Sequence, residues 1–337
     1  MKNKLPQGYF ARPAVLNDCE SVVGMLNSWS KDFLGVEKFE AADMRTEWTL
    51  PKVDPGTDMH LVFAPDGKLV GYCEAWDMLE QHVRVSVWGR VHPQHKGLGI
   101  GSWLLEWADG RAIRAVASAP PDARVVMRSF LLSQDQAGAQ LYVDSGYQHI
   151  RHSLRMVIDL QDNLPEPHWP KGIKVRPMIR GVDERAIVQT VCDSFQDHWG
   201  YVDQPFEDEY RDWMHFIEHD LDFDPSLWFL AMDGEEIAGI SLCRPKISDN
   251  PEMGWVGTLG VRRAWRRNGL GLALLHHSFR EFHHRGKRQV GLGVDAQNLT
   301  GALILYTRAG MRSDPNYQHS VFEKELRPGI EYSRQNL

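Results

Sequence analysis

Residues 259–275 read LGVRRAWRRNGLGLALL, and residues 89–105 read GRVHPQHKGLGIGSWLL. In each, an apolar run ends in a short loop with alternating glycines and passes into an apolar-periodic stretch. That is the grammar of a strand, a glycine loop and a helix. Such a junction suits an anion. The N–H groups of a helix's first turn point outward, the macrodipole favours negative charge there, and glycine lets a ligand approach the backbone closely. GLGIGS (97–102) and GLGLAL (269–274) both lack the last glycine of the dinucleotide loop G-x-G-x-x-G, and neither contains G-K-[ST]. Asp295 ends the strand after the second loop, but the first copy has no equivalent acid.

The two stretches are one pair in a longer series. Arg12-Pro13 matches Arg176-Pro177, LVFAPDGKLVGYCEA (61–75) matches WFLAMDGEEIAGISL (228–242), and LYVDSGY (141–147) matches LYTRAGM (305–311). The matches keep their order at offsets of 164 to 170 residues. A repeat this long is a duplicated domain, since solenoid units run to ~20–50 residues. LQDNLPEPHWPKG (160–172), with three prolines and a glycine, reads as the linker. The expected domains are 1–160 and 173–330.

Each copy repeats one plan. A helical opening (14–29 or 181–195) is followed by a hairpin around Asp66-Gly67 or Asp233-Gly234. A strand (83–91 or 255–261) enters the glycine loop, and a helix runs on from Ser102 or Leu272. Another strand (125–131 or 289–294) precedes the Leu-Tyr helix. SLRMVIDL (153–160) and HSVFEKEL (319–326) are expected to close their own copies. Strands mixed with helices in this order predict an α/β fold of the α+β type, with a mixed sheet in each copy.

The loops match [RQ]-x-x-G-x-G/A followed by Leu-Leu: Arg266, Gly269, Gly271 and Leu274-Leu275, or Lys96, Gly99, Gly101 and Leu104-Leu105. Here the chain resembles the GNAT N-acetyltransferase superfamily, which binds the pyrophosphate of acetyl-CoA on this loop. NLTGALILYTRAGM (298–311) is similar to that family's Asn-x₃-Ala-x₂-Leu-Tyr-x₃-Gly segment, and QDQAGAQLYVDSGY (134–147) is a looser version without the Asn. The tandem layout is similar to that of the mycothiol synthase branch. The resemblance implies two tandem acyl-CoA N-acyltransferase domains, the second expected to be catalytic and the first, which departs further from the motif, expected to be degenerate. It implies acetyl-CoA as acyl donor, an amine acceptor, and cofactor contacts at Leu259, Gly260, Val261, Arg266, Arg267, Asn268, Gly269, Leu270, Gly271 and Asn298. The corresponding set in the first copy is Val91, Lys96, Gly97, Gly99 and Gly101.

Acyl transfer from a thioester to an amine needs a base for the amine, a donor for the oxyanion and an acid for the departing thiolate. Tyr306 is the expected acid, since a phenol's pKa of ~10 lies near that of an alkyl thiol. A backbone N–H within 259–261 is the expected oxyanion donor, and Glu252, at the head of that strand, the expected base. Asn298 also suits the N-cap of the helix that carries Tyr306, and Ser133 with Gln136 forms a capping-box pattern in the first copy. The aromatic and acidic segment 195–216 is either core or the wall that faces a cationic amine. A non-catalytic acyl-CoA sensor or subunit stays open as the alternative.

Composition narrows the rest. The net charge of −7 argues against nucleic acid as partner, and local arginines 262, 263, 266 and 267 suit a coenzyme's phosphates better. Cys19, Cys73, Cys192 and Cys243 form no CxxC pair, and His276, His277, His283 and His284 lack zinc spacing, so no metal is expected. No apolar leader or bilayer-length stretch stands out, which points to a cytoplasmic monomer or homodimer with no membrane partner.

Overall fold

The structure, a computed structural model, describes residues 3–298 and 301–335. Its first half runs β1 (Phe10–Pro13), α1 (Cys19–Leu34), α2 (Ala41–Trp48), α3 (Pro55–Asp58), β2 (Met59–Phe63), β3 (Leu69–Trp76), β4 (Arg84–Val91), α4 (Ile100–Ser118), β5 (Val125–Leu132), α5 (Gln136–Asp144) and β6 (Gln148–Asp159). The second half repeats this as β7 (Ile173–Pro177), α6 (Glu184–Phe195), α7 (Phe206–His219), β8 (Trp228–Asp233), β9 (Glu236–Arg244), β10 (Met253–Val261), α8 (Leu270–His284), β11 (Gln289–Asp295), α9 (Ala302–Arg308) and β12 (Arg312–Arg327). The expected helices and strands are present. The helices after the glycine loops start at Ile100 and Leu270, two residues earlier than the pattern suggested.

Two compact units result. One runs through Arg151 and takes in His319–Tyr332, and the other is His152–Gln318 with residues from Ser333 on. In the first unit β1 to β4 form antiparallel pairs in sequence order, β4 pairs β5 in parallel, and β12 pairs β5 antiparallel. In the second, β7 to β10 do the same, β10 pairs β11 in parallel, and β6 pairs β11 antiparallel. Both faces of each sheet are covered. Leu104, Leu105, Ala108 and Ala112 of α4 meet Val62, Val85, Val87 and Met127 on one face of the first unit. Val22, Leu26, Met44 and Trp48 of α1 and α2 meet Met59, Leu61 and Tyr72 on the other. In the second unit α8 supplies Leu274, Leu275, Phe279 and Phe282, while Ile187 and Ile217 of α6 and α7 cover Leu230, Ile240 and Leu242. Each buried Val, Leu, Ile, Phe or Met among them contributes about 1.5–3 kcal/mol of burial.

The closing strands overturn one expectation. HSVFEKEL belongs to the first unit, pairing His319 with Leu132 through to Arg327 with Val125. SLRMVIDL belongs to the second, pairing Ser153 with Asp295 through to Asp159 with Gln289. The units therefore depart from the repeat boundaries at this strand. Ion pairs accompany the exchange. Arg124 holds Glu323 at 2.9 Å and Glu325 at 2.7 Å, Arg128 holds Glu323 at 2.7 Å, and Lys324 holds Asp109 at 2.8 Å. SLRMVIDL carries one acid, Asp159, against the two glutamates of HSVFEKEL, and so offers that edge fewer partners. Residues 160–172 carry no regular element, yet Arg280 Nη1 donates to the Leu164 carbonyl at 3.2 Å and the Trp169 ring meets His277 edge-on. The linker is docked on α8.

Candidate active site

The site of the second unit begins where a parallel pair comes apart. β10 and β11 pair only over Met253–Trp255 and Gln289–Gly291, although both strands continue past that point. The register on the β9 side shifts between Val256 and Thr258, so Gly257 is an extra residue without a partner on β9. A bulge of this kind bends the strand and frees backbone groups from the ladder. A cavity of about 580 Å³ fills the split, lined by Gly257, Leu259, Gly260 and Val261 on one side and Leu292, Gly293, Val294 and Asp295 on the other.

The glycine loop closes one end. Arg266, Arg267, Gly269, Leu270 and Gly271 line the cavity. Gly269 caps α8 in the left-handed conformation at φ +90°, and the first bond inside the helix is Ala273 N–H to the Gly269 carbonyl at 3.0 Å. The N–H groups of Leu270, Gly271 and Leu272 thus precede the helical ladder. Asn268 does not line the cavity; its side chain accepts from the Leu270 N–H at 3.2 Å. The N–H groups of Gly271 and Leu272 lie ahead of the ladder on the cavity wall. Gly271 has a second duty: a Cβ there would stand 3.2 Å from Leu305 Cδ2, and one at Gly101 only 2.8 Å from Leu141 Cδ2. Both glycines let the loop helix approach the Leu-Tyr helix.

Arg266 is turned inward. Its Nε donates to the Val261 carbonyl at 3.0 Å, Nη1 to Asp197 at 2.5 Å and Nη2 to the Ser194 carbonyl at 2.9 Å. Burial alone would raise the Asp197 carboxyl; Arg266 more than offsets this, so the acid titrates below its ordinary range. Arg266 therefore pins the end of α6 to the loop. Arg267 is exposed and held at φ +63°, and Arg308, also exposed, lines the same cavity. Gly97, at φ +77°, occupies the place of Arg267 in the first unit.

Tyr306, on α9, is 8% exposed and lines the cavity. Among the described residues its hydroxyl has no hydrogen-bond partner, and burial pushes its pKa up to about 12. Tyr142, its counterpart, is also buried, but its hydroxyl lies 2.5 Å from Ser129 Oγ and its ring stacks on Phe322. The first unit keeps the split, since β4 and β5 pair only over Arg84–Ser86 and Val126–Arg128. It lacks the bulge, because β3 and β4 pair without a shift from Trp76–Ser86 to Gly71–Val91. Val91, Lys96, Gly97, Gly99 and Gly101 line its cavity of about 480 Å³.

Other expectations need correction. Glu252 is exposed in the turn before β10 and does not line the cavity. The nine-residue strand β10 runs from beside it to Val261, roughly 30 Å of extended chain. Asn298 lines the cavity but does not cap α9, whose N-cap is Gly301. Its N–H closes a turn on the Asp295 carbonyl at 3.1 Å. Residues 299 and 300 of that motif lie outside the described residues. In the first unit Asp135, not Ser133, caps α5 by accepting from the Gly138 N–H. Ser133 Oγ instead meets Ser320 Oγ at 2.9 Å. Sequence reasoning missed His198, which lines the cavity beside Asp197 and Asp295. Burial pulls its pKa below the ordinary imidazole value. Only its place within the aromatic-acidic segment marked it. No helix among the described residues is long and apolar enough to cross a membrane, and no His, Cys, Asp and Glu group among them is arranged to hold a metal ion.

Known proteins share this architecture. A family model described as the acetyltransferase (GNAT) family matches residues 188–311, and one described as an acetyltransferase (GNAT) domain matches residues 57–149. The chain is 30% identical over 296 residues to the mycothiol acetyltransferase of Salinispora arenicola, an alignment spanning 83% of this chain and 89% of that protein. It resembles the solved GCN5-related N-acetyltransferase of Sphaerobacter thermophilus at 32% identity, 97% and 99% coverage and a TM-score of 0.77. A tandem GNAT protein from the clavulanic acid biosynthesis pathway, 17% identical, covers 96% of this chain and all of its own with a TM-score of 0.69, a likeness of fold alone.

Proposed function

The chain belongs to the GNAT acetyltransferase family and is an acyltransferase of two tandem domains, and from that premise we propose that its second unit moves an acetyl group from acetyl-CoA to an amine. The observation that carries the reading is the split between β10 and β11, with free helix N–H groups at one end and the unpartnered Tyr306 hydroxyl on its wall. The diphosphate of the coenzyme sits on the N–H groups of Gly271 and Leu272, with Arg267 beside them. The pantetheine arm lies between the strands. Gly269, Leu270, Leu259, Gly260, Val261 and Asn298 frame it.

The amine nitrogen attacks the thioester carbon and gives up a proton. Backbone N–H groups freed at the Gly257 bulge stabilise the oxyanion. The C–S bond then breaks, and Tyr306 donates its proton to the departing thiolate. His198, neutral at neutral pH through its burial, and Asp295 are the cavity groups able to take the amine proton. The test is thiol release from acetyl-CoA with a panel of amines that includes the acceptor of mycothiol acetyltransferases. Acetyl-CoA bound without thiol release across the panel would support the sensor reading instead.

A further inference from the structure

Arg90 has no counterpart in the second unit. It stands one residue before the end of β4, where β10 has Gly260. Its guanidinium lies between two indoles, with Cζ 4.5 Å from the Trp29 ring centroid and 4.6 Å from that of Trp88. Nη1 donates to the carbonyl of Gly89 at 2.6 Å, and Nε is sealed from solvent with no partner among the described residues. Asp135 and Glu74 lie in its field, but neither hydrogen-bonds it among the described residues. Glu74 takes the Tyr72 hydroxyl, and Asp135 takes the Gly138 N–H. Desolvation draws the Arg90 pKa down, and the charges of Asp135 and Glu74 offset part of that. Burying such a charge unpaired is costly, and a planar guanidinium fork matches a carboxylate bidentately. Arg90 lines the same cavity as Lys96, Gly97, Gly99, Gly101 and Tyr142.

We propose that the N-terminal cavity binds, without turnover, a coenzyme A thioester whose acyl chain ends in a carboxylate, and that Arg90 holds that carboxylate. The proposal rests on the reading that the glycine loops seat coenzyme A. An acetyl group would leave the half-buried guanidinium without a hydrogen-bonded carboxylate, whereas a short dicarboxylic acyl chain supplies one. The absence of turnover follows from the Tyr142 hydroxyl's engagement with Ser129 and from the unbulged β4.

The experiment is isothermal titration of the full chain with succinyl-CoA, acetyl-CoA, coenzyme A and free succinate, repeated on Arg90→Gln and Arg90→Lys. Succinyl-CoA should bind one site at least tenfold more tightly than acetyl-CoA. Arg90→Gln should bring the two within about threefold while leaving coenzyme A binding intact, and Arg90→Lys should keep part of the preference. Equal affinities in the unaltered protein overturn the proposal and need no variant to be read. A preference that survives in folded Arg90→Gln overturns it as well. Coenzyme A that binds with no preference sinks only the carboxylate assignment; free succinate binding at Arg90 with no coenzyme binding sinks the loop reading along with it.

Discussion

The Tyr142 hydroxyl lies 2.5 Å from Ser129 Oγ, inside a buried ring cluster with Tyr147 and Phe322. Its counterpart Tyr306 has a hydroxyl facing the cavity with no such partner among the described residues. The same residue, at the same place in the repeat, is a structural hydrogen bond in one unit and an available proton in the other. Tyr306→Phe is therefore expected to lower kcat by about 100-fold or more. Tyr142→Phe should leave turnover within about threefold and cost roughly 1–2 kcal/mol, because it strands Ser129 in the core. Steady-state rates and denaturant melts on both variants decide the matter, and the reverse pattern would move the active copy to the first unit.

The pH profile should show the same tyrosine. Burial sets the Tyr306 pKa at about 12, above the ordinary value of ~10. The folded state then holds the phenol's proton more tightly than the unfolded chain does. Its contribution to stability is complete below about pH 10 and is lost as pH rises toward 12. In kcat, no alkaline limb from this residue should appear below about pH 11. A limb near pH 10 that vanishes in Tyr306→Phe would mean a solvated phenol.

The two neighbouring loop arginines should separate cleanly. Arg266 spends its donors on Asp197, Ser194 and Val261, so Arg266→Ala should destabilise by about 1.5–3 kcal/mol. Arg267 is exposed and held at φ +63°, a conformation that costs a non-glycine residue about 1–2 kcal/mol. Arg267→Gly should leave stability within about 0.5 kcal/mol, since relief of that strain is offset by a freer unfolded chain. It should nonetheless weaken coenzyme A binding and flatten its salt dependence, because the lost contact is a screened surface charge. Calorimetry at several ionic strengths measures both; an unaltered slope in Arg267→Gly would assign the phosphates to other groups.

Gly271→Val should injure the fold as well as the loop. The new side chain would press on Leu305 Cδ2, already 3.2 Å from where a Cβ would sit, and overpacking of this kind costs about 1–3 kcal/mol. A melting temperature equal to that of the unaltered protein would show that the helix–helix approach tolerates bulk.

The duplication, the loops and Tyr306 could be read from residues because each is local. Glycine spacing dictates a junction, and a Leu-Tyr pair follows it in the same order in both copies. What escaped reading depends on partners far along the chain. Whether an arginine faces solvent or Asp197, 69 residues away, is decided by where α6 ends. Whether SLRMVIDL pairs β5 or β11 is decided by competing edges of similar shape, and the glutamates that accompany the outcome sit almost two hundred residues from Arg124. Glu252 was placed by nearness in sequence to the right strand. Its end of that strand is the paired one, and the split opens at the other.

The exchanged closing strands have a consequence for synthesis. The outer edge of β5 is finished at Leu132, but its mate begins at His319, 187 residues later. At ribosomal rates of ~5–20 residues per second, that edge waits roughly 10–40 seconds. During the wait β6 emerges within a few tens of residues of β5, and it is the strand that would close β5 in a single-copy protein. The nascent chain thus meets its wrong partner first. The ion pairs of Arg124 and Arg128 with Glu323 and Glu325 can form only once the distal strand has been made, so they add to the native pairing late.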